Sequence, residues 1–82
     1  MENTHKLVMY NDNIHSFQYV MACLIKFCEQ NPLQAEQCAL IAHNNGQCPI
    51  KCGDFNTIME THFLFDRVGV KTEILQHEGS VY

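Results

Sequence analysis

The chain has 82 residues, 46% of them hydrophobic and 17% charged, which is typical of one folded domain and too apolar for a disordered segment. Its net charge of −4 and its scattered basic residues disfavour nucleic-acid binding, because phosphate contacts supply most of that affinity. It has no apolar run of the roughly 20 residues that span a bilayer, no secretory start, and an odd number of cysteines. We therefore expect a soluble cytoplasmic protein that contacts neither nucleic acid nor membrane.

The first half of the chain predicts one strand and two helices. Residues 5–10 form a continuous apolar run that is typical of a strand with both faces partly covered. After a polar loop, Ser16 is a favourable N-cap, and apolar residues then recur every three or four positions to about residue 29. A second helix begins at the Asn31-Pro32 pair and ends before Gly46, which can adopt positive φ.

The segment 47–51 is short and apolar and contains Pro49. Proline has no N–H to donate to a central ladder, so we predict an edge strand or a strand that begins at Ile50. Residues 52–53 are predicted to form a turn.

The last third predicts a helix and a strand. Asp54 can cap a helix that runs to about Arg67, and Gly69 ends it. Residues 70–75 alternate imperfectly between apolar and polar side chains, which indicates a final strand. The predicted inner side of the helix consists of Phe55, Ile58, Met59, Phe63 and Leu64.

The order βααβαβ predicts an α+β fold, a two-layer sandwich. A small three-stranded antiparallel sheet carries three helices on one face, because so few residues cannot cover both faces of a sheet. We divide the chain into a short N-terminal arm, 1–4, a folded core, 5–76, and a C-terminal tail, 77–82.

The loop after the first strand is rich in short polar side chains. Asn11 offers a donor and an acceptor, and Asp12 offers a negative charge, so the loop can hold a cation. Local hydrogen bonding in a turn and helix cap would explain the same residues. His43 ends the second helix, where the helix dipole alone favours histidine. If the two helices form a hairpin, His43 and the loop meet at one end of the pair.

Four features occur along the chain in this order: the Asn11-Asp12 loop, the run 34–39, His43 followed by Gly46, and the Glu60-Thr61 pair. Over residues 5–75 this pattern resembles the ClpS family, adaptors that deliver N-degron substrates to the Clp protease. The resemblance implies a fold similar to the C-terminal domain of a ribosomal stalk protein. It also implies binding of a free α-amino group and a bulky first side chain (Leu, Phe, Tyr or Trp).

The resemblance implies the following roles. The α-amino group is bound by Asn11, Asp12 and His43, and the peptide backbone is contacted by the loop residues Asn13 and His15. The side-chain pocket is formed by Phe17, Val20, Ala39, Ala42 and Val70, although helical spacing alone would predict several of these as core. The partner is the N-terminal domain of a Clp AAA+ unfoldase of the ClpA or ClpC type. The positions of this chain that match the family's docking residues for this partner are Thr57 and His62.

Several positions depart from the family pattern. The family commonly has methionine at the positions of Phe17 and Ala39, and we expect Phe17 to fill part of the volume that Ala39 gives up. The family also has a second aspartate at Asn13, and threonine and proline at His15 and Ser16. The loop therefore keeps its polarity but has one negative charge fewer.

Other functions are compatible with parts of this sequence. A protein-interaction module of the same fold could dock on an unfoldase or another machine without reading N-termini. A metal site formed by Cys48 and Cys52 with His43 and His62 has loose spacing and no second ligand pair. No nucleophile is visibly paired with a base, so we expect neither an enzyme nor a cofactor.

Overall fold

A computed structural model describes residues 4–76. The elements are β1 (His5–Tyr10), α1 (Phe17–Cys28), α2 (Pro32–Asn45), β2 (Gln47–Gly53), α3 (Phe55–Arg67) and β3 (Thr72–Gln76). This is the predicted order βααβαβ. Most of the predicted arm and the whole predicted tail lie outside the described residues. None of the helices within 4–76 is long and apolar enough to cross a membrane.

The sheet has the strand order β2-β1-β3, and β1 pairs antiparallel with both neighbours. The predicted α+β sandwich with one three-stranded antiparallel sheet is therefore confirmed. Strand β2 lies at an edge of the sheet, and its Pro49 lies opposite Val8. An edge position tolerates proline because the missing N–H is not required by a strand on the outer side. A bulge in this ladder leaves Ile50 without a partner on β1, and the buried Gln30 amide donates to the Ile50 carbonyl at 3.2 Å.

Each helix begins at the cap residue that the sequence predicts. The side chains of Ser16, Asn31 and Asp54 each accept a hydrogen bond from the backbone N–H three residues later, at 2.8 to 3.0 Å. Helix α2 ends at Gly46, which has φ of 93°, and α1 ends at Glu29, a non-glycine residue with φ of 57°. These local bonds fix where each helix enters and leaves the helical layer.

The predicted inner side of α3 is partly wrong. The buried residues are Ile58, Thr61 and Phe65, at intervals of three and four, and Phe65 packs edge-to-face on Phe27 at 5.2 Å. Three residues of the predicted set are instead substantially exposed: Phe55 at 44%, Phe63 at 55% and Leu64 at 37%. Apolar side chains occur on more than one face of this helix, so its periodicity alone did not identify the packed face.

Two element boundaries also differ from prediction. Cys52 and Gly53 continue β2 instead of turning, because they pair with Lys6 and His5 of the central strand. Strand β3 begins two residues later than expected, at Thr72. Val70 is bonded through its N–H to the Phe65 carbonyl at 3.0 Å, so it belongs to the turn that closes α3.

Candidate functional site

A cavity of about 370 Å³ opens where the C-terminal end of α2 meets the loop between β1 and α1. The backbone N–H of Asn11 donates to the Gly46 carbonyl at 2.9 Å and joins the loop directly to the end of the helix. The predicted proximity of the loop and the end of the second helix is therefore confirmed. This proximity arises because α1 and α2 pack against each other in antiparallel orientation, so the start of α1 lies beside the end of α2.

The cavity lining brings together most of the predicted site residues. The lining residues are Met9, Tyr10, Asn11, Asp12, Asn13, His15, Phe17, Val20, Ala39, Leu40, Ala42 and His43. Val70 is absent from this lining, and it is buried in the core at 1% exposure. Sequence reasoning missed Leu40, which lies three residues before His43 and so shares its helix face.

The two predicted docking residues lie on α3, outside the cavity lining. Thr57 is exposed in the first turn of the helix. The imidazole of His62 is half-buried, and its Nδ1 lies 2.7 Å from the Thr72 hydroxyl, which joins α3 to β3.

The Asp12 carboxylate is largely occupied by its own loop. Its Oδ1 accepts the backbone N–H groups of Ile14 and His15 at 2.7 and 2.9 Å, and its Oδ2 lies 2.6 Å from the His15 Nδ1 atom. The side chain is only 9% exposed. A carboxylate has about four lone-pair positions, so these three contacts leave roughly one for an external donor.

The charge of Asp12 follows from the same contacts. Partial burial raises the pKa of Asp12, but the hydrogen bonds from His15 and Ile14 outweigh it, and the pKa lies below its usual value. Asp12 is therefore ionised at neutral pH. An ionised carboxylate only accepts hydrogen bonds, so the proton between the two side chains lies on Nδ1 of His15.

Asn11, Asn13 and His43 supply the exposed polar rim of the cavity. The Asn11 amide nitrogen donates to Asn13 Oδ1 at 3.4 Å, a long bond that holds the two side chains side by side. Within residues 4–76, neither the Asn11 Oδ1 atom nor the His43 ring has a side-chain hydrogen-bond partner. The rim therefore presents acceptors that can serve a bound donor.

The floor of the cavity is apolar. Val20 of α1 and Ala39 and Ala42 of α2 are buried, with exposures of 6%, 5% and 3%. Phe17 and Leu40 stand nearer the mouth, at 37% and 39% exposure. Small alanines on one wall leave the space, and the larger side chains border it, so the cavity can enclose an apolar group beneath its polar rim.

The alternative metal site has no supporting cluster in the described part of the chain. Between residues 4 and 76, no group of three or more His, Cys, Asp or Glu side chains could hold a metal ion. Cys48 is buried in the core, whereas Cys52 is exposed. Burial raises the pKa of the Cys48 thiol, so it remains protonated and packs as a small apolar side chain.

The fold and the cavity together define a small α+β binding domain whose polar-rimmed apolar cavity lies at the end of a helix pair. The family model described as ATP-dependent Clp protease adaptor protein ClpS matches residues 1–67. The chain therefore belongs to the ClpS family, a family of adaptors that act with Clp proteases on their substrates.

The chain also resembles a solved structure, that of Agrobacterium tumefaciens ClpS2 bound to L-phenylalaninamide. The two share 13% sequence identity with a TM-score of 0.78, and the match covers 93% of this chain and 100% of the other. At this identity the likeness shows that the fold is shared. A comparison with curated proteins gave no match.

Proposed function

We propose that this chain is an N-degron adaptor. It binds the free α-amino group and the bulky hydrophobic first side chain of a substrate (Leu, Phe, Tyr or Trp) and delivers that substrate to a Clp AAA+ unfoldase. The observation that carries the proposal is a single cavity whose rim is polar at Asn11 and His43 and whose floor is apolar at Val20 and Ala39. The ligand of ClpS2, L-phenylalaninamide, combines a free amine with an apolar side chain, which supports this assignment.

The polar rim matches the chemistry of a primary ammonium group. Such a group carries three donors and one positive charge, so it requires several acceptors at close range. Asn11 and His43 each offer an acceptor with no side-chain partner among the residues that the structure describes, and Asp12 offers its remaining lone pair and its charge. Asn13 lies beside them on the rim. Each charge-assisted bond contributes about 1.5 to 3 kcal/mol, so an acetylated N-terminus should bind very poorly.

The apolar floor matches the first side chain. The cavity of about 370 Å³ lies within the roughly 300 to 1,000 Å³ that is usual for small-ligand pockets. Burying a leucine or phenylalanine side chain there contributes about 1.5 to 3 kcal/mol. Amine and side chain together therefore give an affinity that neither group provides alone.

The proposal is tested with labelled peptides that differ only in their first residue, measured by fluorescence anisotropy. We expect the Phe-initiated peptide to bind, and the acetylated and Ala-initiated peptides to bind at least tenfold more weakly. The combined variant Asn11→Ala and His43→Ala should lose the Phe preference. Asn44→Ala with Asn45→Ala, exposed on the same helix end but outside the cavity lining, is the matched control. Equal binding of all three peptides would refute amine recognition.

A second function has its own supporting observation. Phe63 of α3 is 55% exposed, and Phe55 is still 44% exposed although its ring packs edge-to-face on His5 of β1 at 5.1 Å. These exposed aromatic side chains fit a domain that docks on an unfoldase without reading N-termini. Titration with the N-terminal domain of a ClpA-type or ClpC-type unfoldase separates the two functions. Docking that persists without any first-residue preference supports the second function, and degradation of a Phe-initiated reporter that requires this chain supports the first.

A further inference from the structure

The imidazole of His15 is held on two sides by different elements. It stacks on the Tyr19 ring of α1, with 4.8 Å between ring centroids and an interplanar angle of 15°. On the other side lies the turn after α3, where a Cβ added to Gly69 would come within 3.4 Å of the His15 Cε1 atom. Its position is therefore set by packing as well as by Asp12, and its side chain is 24% exposed.

His15 lines the same cavity as the polar rim, and it connects that cavity to the Asp12 carboxylate through a 2.6 Å contact. The backbone N–H of His15 donates to the other carboxylate oxygen at 2.9 Å. Rotation of the Asp12 side chain would break both contacts at once. The His15 side chain therefore orients the Asp12 carboxylate together with the backbone N–H groups of Ile14 and His15.

We propose that His15 is a positioning residue of the cavity, which orients the Asp12 carboxylate and, through its own charge state, sets how strongly the cavity binds a cationic amine. This rests on the proposed function. With a neutral imidazole, the pair of side chains carries one negative charge, which complements the ammonium group. With a protonated imidazole, the pair is neutral, and the attraction for the ammonium group falls.

The groups that face the imidazole are few. Asp12 lies on the same loop as His15, and from α1 the imidazole faces the Tyr19 ring. From the turn after α3 it faces Gly69, which has no ionisable side chain. His43, a second histidine, lines the same cavity. The test must therefore separate the two histidines.

Two substitutions separate orientation from packing. His15→Asn places an amide N–H near the position of Nδ1 and cannot become charged, whereas His15→Leu fills the space beside Tyr19 without any donor. We expect His15→Leu to weaken binding of a fluorescein-labelled Phe-initiated peptide about tenfold at pH 7.5. We expect His15→Asn to restore most of that affinity. If the role of His15 is purely structural, the peptide affinity of each variant should instead fall in line with the fall in its thermal unfolding midpoint.

The pH profile tests the charge. We expect wild-type affinity to fall between pH 7.5 and 5.5, and the affinity of His15→Asn to fall less, because an amide at this position cannot become charged. The matched variant His15→Asn with His43→Asn should show almost no dependence. An unchanged profile in His15→Asn would overturn the charge role.

The free protein provides a check that needs no ligand. Imidazole ¹⁵N spectra should show the neutral His15 ring protonated at Nδ1, and Asp12→Asn should change that signal while leaving the His43 ring unaffected. A ring protonated at Nε2 alone would overturn the positioning role, even if the peptide still binds. Failure of the wild type to bind the Phe-initiated peptide at any pH would overturn the proposed function and this role with it.

Discussion

The substitution Ala39→Met tests how the floor of the cavity is shaped. Ala39 is 5% exposed and faces the cavity between Val20 and Ala42, so a longer side chain at this position enters the cavity instead of solvent. Phe17 already borders the same space, although the family commonly has methionine at both positions. We expect the Met side chain, together with Phe17, to leave too little room for a phenylalanine or leucine side chain.

The magnitude follows from the burial that is lost. A fully enclosed leucine or phenylalanine contributes about 1.5 to 3 kcal/mol, and each 1.4 kcal/mol corresponds to tenfold in affinity, so we expect a loss of about 10- to 100-fold. The assay is fluorescence anisotropy with a Phe-initiated peptide. Since the new side chain enters an existing cavity, the thermal midpoint should change by no more than a few degrees.

The double variant Phe17→Met with Ala39→Met decides whether the two positions compensate. If Phe17 occupies the volume that Ala39 gives up, then the double variant should recover at least tenfold of the affinity lost in Ala39→Met. Ala39→Ser, which keeps the residue small, is the control and should bind normally. Full affinity in the single variant, or no recovery in the double variant, would refute the volume compensation.

Three further predictions concern the fold. Glu29→Gly should stabilise the protein by up to about 1 kcal/mol in urea unfolding. A side chain at φ of 57° costs about 1 to 2 kcal/mol, and the larger conformational entropy that glycine loses on folding offsets part of the relief. A loss of stability would contradict this. Phe65→Ala should cost about 3 to 5 kcal/mol, since Phe65 is fully buried, and a cost below 1 kcal/mol would mean that it is not central to the core. Asp12→Asn should destabilise the protein at pH 7, and the difference in stability from wild type should vanish as the pH falls through the lowered pKa of Asp12, because the stabilisation exists only while the carboxylate is ionised. Asp66→Asn, at an exposed position, is the control. A difference that persists at pH 2 would refute this origin.

Local hydrogen bonding and backbone preferences made the order of helices and strands predictable from the sequence. The three N-caps and the glycine after α2 act within a few residues of themselves, so they specify helix boundaries whatever surrounds them. The proline in β2 removes a donor and therefore restricts that strand to an edge. Because such bonds depend on neighbours in sequence, the order βααβαβ followed from the residues alone.

Packing over longer distances could not be read in the same way. Phe55, Phe63 and Phe65 are equally apolar, yet only Phe65 is buried, where it packs against Phe27 of α1. Val70 was expected in the pocket wall, but its hydrogen bond to Phe65 holds it in the core. Such outcomes depend on residues far apart in the chain.

The cavity shows the same division. The sequence by itself determined that a polar loop and a histidine meet at one end of a helix pair, because two antiparallel helices with a short connection must bring those ends together. Only the tertiary structure decided what each side chain is free to do. The bonds of the Asp12 carboxylate to Ile14 and His15 are local to the loop, but the approach of Gly69 to the His15 ring joins residues far apart in the chain, which the sequence does not place side by side.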